Sequence, residues 1–181
     1  MSVFTNSSRG AAEQAGDYVA AIIGLVGDRD AMSILRTTPG ELSRAIAGLS
    51  AAQLRQREKP EKWSIAHVLQ HLSDAELVWG WRARLILAQD RPTITGYDQD
   101  MWADRLGYDE VEPQQAIETF TVLRRGNLRL LERATAADFK RVGVHAERGE
   151  ESIEHVRRLN AGHDLMHLGQ IARIRVVVST G

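Results

Sequence analysis

The most informative shortage in this 181-residue chain is cysteine, of which there is none. This absence excludes disulfides, thiolate zinc sites, iron–sulfur clusters and a cysteine nucleophile. A metal ion in this protein therefore needs His, Asp or Glu side chains as ligands. The sequence has six histidines, and these become the first residues to place.

Other shortages narrow the class of protein. There are only four prolines, no strictly alternating apolar segments, and several long patterns with a helical period, so we expect an all-α fold. No stretch approaches the ~20 apolar residues of a membrane span, and Met1–Gly10 lacks the apolar run of a signal peptide. Together these two features predict a cytoplasmic protein with no membrane partner. With 23 basic and 24 acidic side chains, dispersed along the chain, no nucleic-acid partner is expected.

Cap residues and apolar periodicity predict where the helices begin and end. The expected helices are Ala11–Val26, a short segment Ala31–Leu35, a helix from Thr38-Pro39-Gly40-Glu41 to Leu49, a turn after Ser50, Ser64–Gln89, Pro113–Ala134 and Ser152–Val178. Pro39 is expected at a helix start because proline suits the first helical position. The segments Arg91–Asp109 and Arg141–Gly149 are interpreted as a long connection and an irregular stretch.

Four of the histidines form two pairs with helical ligand spacing, His67 with His71 and His163 with His167. Residues four apart on a helix differ by only ~40° in direction, so both imidazoles of a pair can reach one point. On a helical wheel, His163 and His167 lie within the apolar stripe of their helix, whereas Asp164 lies on the other side.

On the earlier helix, His71 flanks the apolar stripe and His67 falls near the boundary with solvent. The sequence therefore favours His71, His163 and His167 as one group, which either shares a cation or forms hydrogen bonds with Asp74, Glu76 or backbone groups as ordinary core histidines. The other two histidines, His145 in a loop and His155 on a helix flank, are given no functional role.

Three further side chains are candidates for chemistry near such a group. Asp74 and His67 are candidates for moving a proton, and Arg82 lies on the same side of its helix as His71. Arg82 either extends to solvent or holds an anionic substrate, and the sequence does not separate these two roles.

Two segments resemble the DinB/YfiT-like superfamily of metalloenzymes. They are Lys62-Trp63-Ser64-Ile65-Ala66-His67-Val68-Leu69-Gln70-His71-Leu72-Ser73-Asp74-Ala75-Glu76 and His163-Asp164-Leu165-Met166-His167-Leu168-Gly169-Gln170-Ile171. The similarity extends over roughly 28–178 and includes the Thr38-Pro39-Gly40-Glu41-Leu42 and Gly96–Trp102 segments.

The resemblance implies a four-helix bundle with up-down-down-up topology and one divalent metal ion, nickel or zinc, bound by His71, His163 and His167. His67 stands where relatives usually carry a different, often acidic, residue, which leaves open a fourth ligand. The bundle is expected at 31–181, and residues 1–30 are expected to be an N-terminal extension with one extra helix.

Characterised relatives include thiol transferases that use bacillithiol or mycothiol and a mycothiol-dependent maleylpyruvate isomerase. The resemblance therefore implies a metal-dependent S-transferase with a low-molecular-weight thiol as cosubstrate. In that case Arg82 and the Tyr97–Trp102 loop are candidates for holding the thiol. A metal-dependent hydrolase that activates water is the alternative, and a non-catalytic binding module is a third possibility. Apolar helix faces and the extra helix suggest a homodimer.

Overall fold

The computed structural model describes the backbone of residues 12–179 and the side chains from residue 16 onward. Its helices are α1 (Ala12–Val26), α2 (Ala31–Ile46), α3 (Ala51–Arg55), α4 (Ile65–Ala88), α5 (Gln99–Arg105), α6 (Pro113–Arg133) and α7 (Ile153–Ser179). Three short strands are β1 (Thr93–Ile94), β2 (Val142–His145) and β3 (Gly149–Ser152). The expected first residue of α1, Ala11, lies outside the described residues. Within the described residues, no helix is both long and apolar enough to span a membrane.

Helices α2, α4, α6 and α7 form a four-helix bundle whose directions follow from two core clusters. One cluster joins the starts of α2 and α7 to the ends of α4 and α6, through Leu35, Val156, Ile86 and Leu131. The other joins the ends of α2 and α7 to the starts of α4 and α6, through Leu42, Ile174, Val68 and Ile117. Thus α2 and α7 run one way and α4 and α6 the other, which confirms the up-down-down-up topology.

The predicted helix start at Thr38 is wrong, because α2 is a single helix that contains Pro39. Asp30 caps it instead, accepting hydrogen bonds from the backbone amides of Met32 and Ser33. Proline lacks the amide that would bond to the carbonyl of Leu35, four residues earlier. In this protein the buried guanidinium of Arg124 donates to that carbonyl at 2.9 Å, so a tertiary contact replaces the missing helical bond.

The start of α4 is as predicted. Ser64 is its N-cap and accepts a hydrogen bond from the backbone amide of His67, and Gln89 is its C-cap. The predicted capping box at Ser50 is also present, with Gln53 returning the bond to the backbone of Ser50. These local signals are correct because capping depends on neighbouring residues alone.

Two connections expected to be irregular contain regular structure. Strand β1 and helix α5 lie within the 91–109 connection, and β2 and β3 form a hairpin where 141–149 was expected to be irregular. Strand β1 pairs parallel to β2, and β2 pairs antiparallel to β3. The strands are only two to four residues long, so their apolar patterns are too short to predict them.

Helix α1 packs along α7, and one glycine permits the close contact. A Cβ on Gly162 would lie 2.2 Å from the backbone oxygen of Ile22, so only glycine fits at this point. Gly162 immediately precedes His163, and α1 therefore packs directly against the segment of α7 that carries two of the candidate ligands.

Candidate metal centre

The three histidines singled out by the sequence come together in the core. His71 of α4 lies opposite His163 and His167 of α7, and all three are buried. Their Nε2 atoms converge, with His163 Nε2 lying 3.1 Å from that of His71 and 3.2 Å from that of His167. The antiparallel packing of α4 and α7 produces this arrangement, because it brings residues 92 positions apart to the same level.

The surroundings keep all three imidazoles neutral. Burial, followed by the like charge of His167, lowers the pKa of His71 well below its usual value, and burial does the same for His163. Burial also lowers the pKa of His167 to about 4. Neutral imidazole is the form that binds metal ions, since a ring nitrogen then keeps its lone pair.

One tautomer is fixed by a neighbour. His167 Nδ1 lies 2.8 Å from Oε1 of Gln170, so Nδ1 carries the proton and donates it to that oxygen. His167 Nε2 then presents a lone pair to the other two rings, as expected of a ligand oriented by an outer hydrogen bond. The Nδ1 atoms of His71 and His163 are buried and have no hydrogen-bond partner among the described residues.

The cluster fits a bound cation better than a set of ordinary core histidines. Two nitrogens that share a zinc-like ion at 2.0–2.1 Å lie roughly 2.9–3.4 Å apart, and the measured separations of 3.1 and 3.2 Å lie in that range. The two carboxylates that could instead have formed hydrogen bonds with these histidines, Asp74 and Glu76, have other partners. Asp74 accepts from Tyr108 and Gln70, and Glu76 accepts from Arg124 and two asparagines.

His67 is buried, so the expectation that it lies near solvent is wrong. It does not join the triad: Arg57 donates to its Nε2 at 3.1 Å, and its Nδ1 lies 2.8 Å from the hydroxyl of Ser64. Asp109 is also 3.2 Å from Nε2, which gives a Ser-His-Asp arrangement. The hydroxyl of Ser64 is fully buried and caps α4, so it is not available as a nucleophile.

The remaining two histidines also lie outside the triad. His145, expected in a loop, lies in β2 and is buried, and burial lowers its pKa to about 4. His155 lies near the start of α7, with its Nε2 3.8 Å from Glu151. In the part of the chain that the structure describes, the only metal-compatible group found is His71, His163 and His167.

A buried ionic cluster lies beside the triad and was not anticipated from the sequence. Arg124 of α6 is 1% exposed and donates to both oxygens of Asp164, at 2.6 and 3.0 Å. It also donates to Glu76 of α4 at 2.8 Å, in addition to its bond to the carbonyl of Leu35. The wheel placed Asp164 away from the core, which is wrong: α7 contacts α1, α2 and α4, so more than one of its faces is buried.

A cavity of about 270 Å³ opens next to the triad, and His163 forms part of its wall. Helices α1, α4 and α7, the 96–99 segment and the β2–β3 turn surround it. Besides His163, its polar and aromatic lining residues are Tyr18, Trp79, Arg82, Tyr97, Asp98, Gln99, Glu147 and Arg148. Through His163, the triad thus adjoins a space of the size that takes a small molecule.

Of the three candidate catalytic side chains, the structure brings only Arg82 to this cavity. Arg82 is 5% exposed, its Nη2 donates to the carbonyl of Thr95, and its guanidinium lies 5.3 Å from the ring centre of Trp79. Asp74 lines a second cavity between α4 and α6 instead. The loop residues Tyr97 and Gln99, by contrast, do share the cavity with Arg82.

Two lining residues were missed by sequence reasoning. The sequence patterns assign no functional role to Tyr18 of α1 or to Arg148 of the β2–β3 turn. Both reach the cavity because α1 packs on α7 and because the β2–β3 hairpin folds back towards α4. No local pattern carries this information, since both contacts depend on how elements far apart in the chain are packed.

Comparison with known proteins places these features in a family. The sequence model described as DinB superfamily matches residues 34–171. A Geobacillus kaustophilus protein named "putative metal-dependent hydrolase" is 28% identical over 80% of this chain and 82% of its own length. YfiT of Bacillus subtilis, which bears the same name, is 24% identical over 79% of this chain and 81% of its own length.

The fold has a counterpart among solved structures. A structure of Bacillus subtilis YfiT, described as "a probable metal-dependent hydrolase with an unusual four-helix bundle topology", superposes with a TM-score of 0.76 at 22% identity. The match covers 81% of this chain and 84% of the other. With the family match over residues 34–171 and the shared bundle, this protein belongs to the DinB superfamily.

Proposed function

We propose that this protein is an enzyme that depends on one divalent metal ion, nickel or zinc, held by Nε2 of His71, His163 and His167. The observation that carries this proposal is the convergence of three neutral, buried imidazoles beside a cavity. Three imidazole ligands on one side leave room for a further ligand from the cavity. Borderline nitrogen ligands suit nickel and zinc, and the metal used in the cell depends also on supply.

The reaction we favour is S-conjugation of a low-molecular-weight thiol: its sulfur forms a bond to an electrophilic carbon, the leaving group on that carbon departs, and the thiol proton is released. When bound, the cation would lower the pKa of a thiol and so supply a thiolate at neutral pH. The chain contains no cysteine, so the sulfur nucleophile has to arrive with the cosubstrate. Arg82 and the hydroxyl of Tyr97 line the same cavity as His163 and are placed to bind polar groups of that cosubstrate.

The surrounding residues perform three tasks in this proposal. Gln170 holds the proton on Nδ1 of His167 and so keeps its Nε2 free. The rings of Trp63 and Trp79 pack near the triad, with centroids 5.0 Å from His71 and 6.3 Å from His163, and exclude water from the two imidazoles. Arg124 anchors Asp164, the neighbour of His163, and thereby fixes the position of this turn of α7.

Hydrolysis, with water as the nucleophile, is the second candidate. The names of the relatives from Geobacillus kaustophilus and Bacillus subtilis favour it. Asp74 and His67 were considered as proton carriers for this reaction. The hydrogen bonds of Asp74 to Tyr108 and Gln70, and those of His67 to Arg57 and Ser64, lend that role no support.

Two measurements test the proposal. The first is elemental analysis of protein purified without a metal-affinity column, with His163→Ala compared with His155→Ala on the same helix. We expect about one nickel or zinc ion per chain in the wild type and in the His155 variant, and loss of the ion in the His163 variant. Equal metal content in the two variants would refute the ligand assignment.

The second measurement separates the reactions. The zinc- and nickel-loaded proteins are assayed for conjugation of small bacterial thiols to electrophiles and for turnover of esters and amides. Conjugation that depends on His163 supports the transferase. Ester or amide turnover without conjugation overturns it in favour of the hydrolase, and the absence of both reactions favours the non-catalytic binding module.

We also propose that the protein is a homodimer in the cytoplasm that binds neither nucleic acid nor membranes. Large apolar side chains lie exposed on α4 and α6, namely Leu77, Trp81 and Val122, with exposures of 53–66%. Burial of such a surface in a dimer would be favourable. Size-exclusion chromatography with light scattering gives the oligomeric state, and a monomer at micromolar concentration would refute the dimer.

A further inference from the structure

Arg82 carries a buried positive charge for which the described residues provide no counter-ion. Its side chain is 5% exposed, and no carboxylate of the described residues lies within 4 Å of it. Among the described residues, its hydrogen bond is from Nη2 to the backbone carbonyl of Thr95, and its buried Nε has no partner there. A buried, uncompensated charge is costly, so residues of this kind are commonly completed by a ligand of opposite charge.

The nearby acidic groups do not fill this role. Glu151 is paired through both oxygens with Arg148, at 2.6 and 2.9 Å. Asp98, which also lines the cavity, caps α5 by accepting from the backbone amides of Asp100 and Met101. Glu147 is exposed, so water screens its charge. Burial, followed by the like charge of Arg148, lowers the pKa of Arg82 to about 10, which still leaves it cationic at neutral pH.

Two tyrosines line the same cavity and could serve as hydrogen-bond donors. Tyr97 comes from the connection after α4 and Tyr18 from α1, and both line the cavity with Arg82 and His163. Burial raises the pKa of Tyr18 to about 12 and also raises that of Tyr97, so both hydroxyls keep their protons. A protonated hydroxyl and a guanidinium are donors that suit the oxygens of an anion.

From this arrangement we infer that Arg82, with Tyr97 and Tyr18, forms a carboxylate-binding subsite in the triad cavity, and that the substrate or cosubstrate is a small carboxylic acid. The acid group lies at Arg82 and the reacting end of the molecule extends towards His163. This inference rests on the proposed function for the role of the reacting end, whereas binding of the carboxylate itself does not require the metal. Tyr18 belongs to α1, outside the residues 34–171 that match the family model.

The test uses two probes that differ only in charge, 3-mercaptopropionate and 3-mercaptopropionamide. They are titrated into the metal-free and the zinc-loaded protein, with binding followed by tryptophan fluorescence because Trp79 lies in the cavity wall beside Arg82. We expect the metal-free wild type to prefer the carboxylate by about 10- to 100-fold, as for hydrogen bonds to charged groups. Arg82→Gln should abolish this preference.

Arg84→Gln is the matched control, because Arg84 lies on the same helix, is exposed and does not line the cavity. It makes the same change in charge and should retain the preference. If Arg82→Gln fails to fold, Tyr97→Phe decides the question: we expect a several-fold weaker binding of the carboxylate and unchanged binding of the amide.

The outcomes separate this inference from the proposed function. No carboxylate preference in the metal-free wild type, or a preference that survives in folded Arg82→Gln, overturns the subsite. A preference that appears only with zinc and persists in Arg82→Gln would identify the carboxylate as a metal ligand and also overturns it. If the preference depends on Arg82 but no reaction is found with the loaded protein, the proposed function fails and the subsite stands.

Discussion

Replacement of Arg124 by leucine should destabilise the protein more than replacement of any exposed residue on the same helix. The guanidinium is 1% exposed and makes two bonds to Asp164, one to Glu76 and one to the carbonyl of Leu35. The variant leaves two buried carboxylates without their counter-ion. It also leaves the Leu35 carbonyl without a hydrogen-bond donor, because Pro39 has no backbone N–H to donate.

Removal of one partner from a buried ion pair typically costs 3–5 kcal/mol, and an unsatisfied buried polar group adds about 1–3 kcal/mol. We therefore expect Arg124→Leu to lower the free energy of unfolding by about 4 kcal/mol or more at pH 7. Urea denaturation followed by circular dichroism measures this change. Arg125→Leu, at the adjacent and exposed position, is the control and should change stability by less than about 0.5 kcal/mol.

The loss should also depend on pH in a definite direction. Burial raises the pKa of Asp164 above its usual value even with Arg124 in place, and the arginine acts to lower it. Without Arg124 that pKa rises further. A carboxyl with a raised pKa in the folded state favours folding at low pH and disfavours it as the pH rises through that pKa.

Accordingly, the difference in unfolding free energy between wild type and Arg124→Leu should be smaller at pH 5 than at pH 8. At the lower pH the carboxyl takes up a proton and no longer needs a counter-ion. A loss below 1 kcal/mol at pH 7, equal to that of Arg125→Leu, would refute the view that the ionic cluster stabilises this core. A loss that grows as the pH falls would refute the assigned charge states.

Three further outcomes follow from the structure. Gly162→Ala should lower the free energy of unfolding, measured by urea denaturation, by about 1–3 kcal/mol because its Cβ would meet the backbone of Ile22. Gly169→Ala, where nothing lies within 4 Å of the added Cβ, is the control and should be neutral or stabilise by up to about 1 kcal/mol. Similar effects of the two substitutions would contradict the α1–α7 contact. Since burial holds the pKa of His145 at about 4, wild-type stability should fall as the pH drops from 6.5 towards 4, and His145→Phe should reduce that slope in urea titrations. Zinc at 100 times its Kd should raise wild-type unfolding free energy by about 2.7 kcal/mol, measured as a higher Tm that a chelator reverses; the same rise in His163→Ala would contradict metal binding at the triad.

The ends of the helices were predictable where the signal is local. Ser64 and Ser50 act as caps through bonds to residues three positions away, and the local sequence contains both partners. Pro39 shows the limit of such signals. A proline in a helix interior usually costs stability because it leaves a carbonyl without its hydrogen bond. Here that cost is reduced because Arg124, which is distant in the chain, donates to the free carbonyl of Leu35.

Burial was predictable only where a helix has one buried face. The wheel placed His163 and His167 correctly, and it failed for Asp164 because α7 is covered by α1 as well as by α2 and α4. It failed for His67 because Arg57 and Asp109 lie over that flank of α4. A wheel describes one helix and has no information on how many neighbours surround it.

The all-α class, the pairs of histidines with ligand spacing and the exclusion of cysteine chemistry can all be read from the amino-acid sequence. These follow from composition and from the fixed geometry of a helix turn. Three contacts are visible only in the tertiary structure. The Nε2 atoms of His71 and His163 lie 3.1 Å apart, and Arg124 joins two buried carboxylates. Arg82 and Tyr18 line the same cavity. Each of these contacts joins residues far apart in the chain, and its energy depends on exclusion of water by the packed bundle.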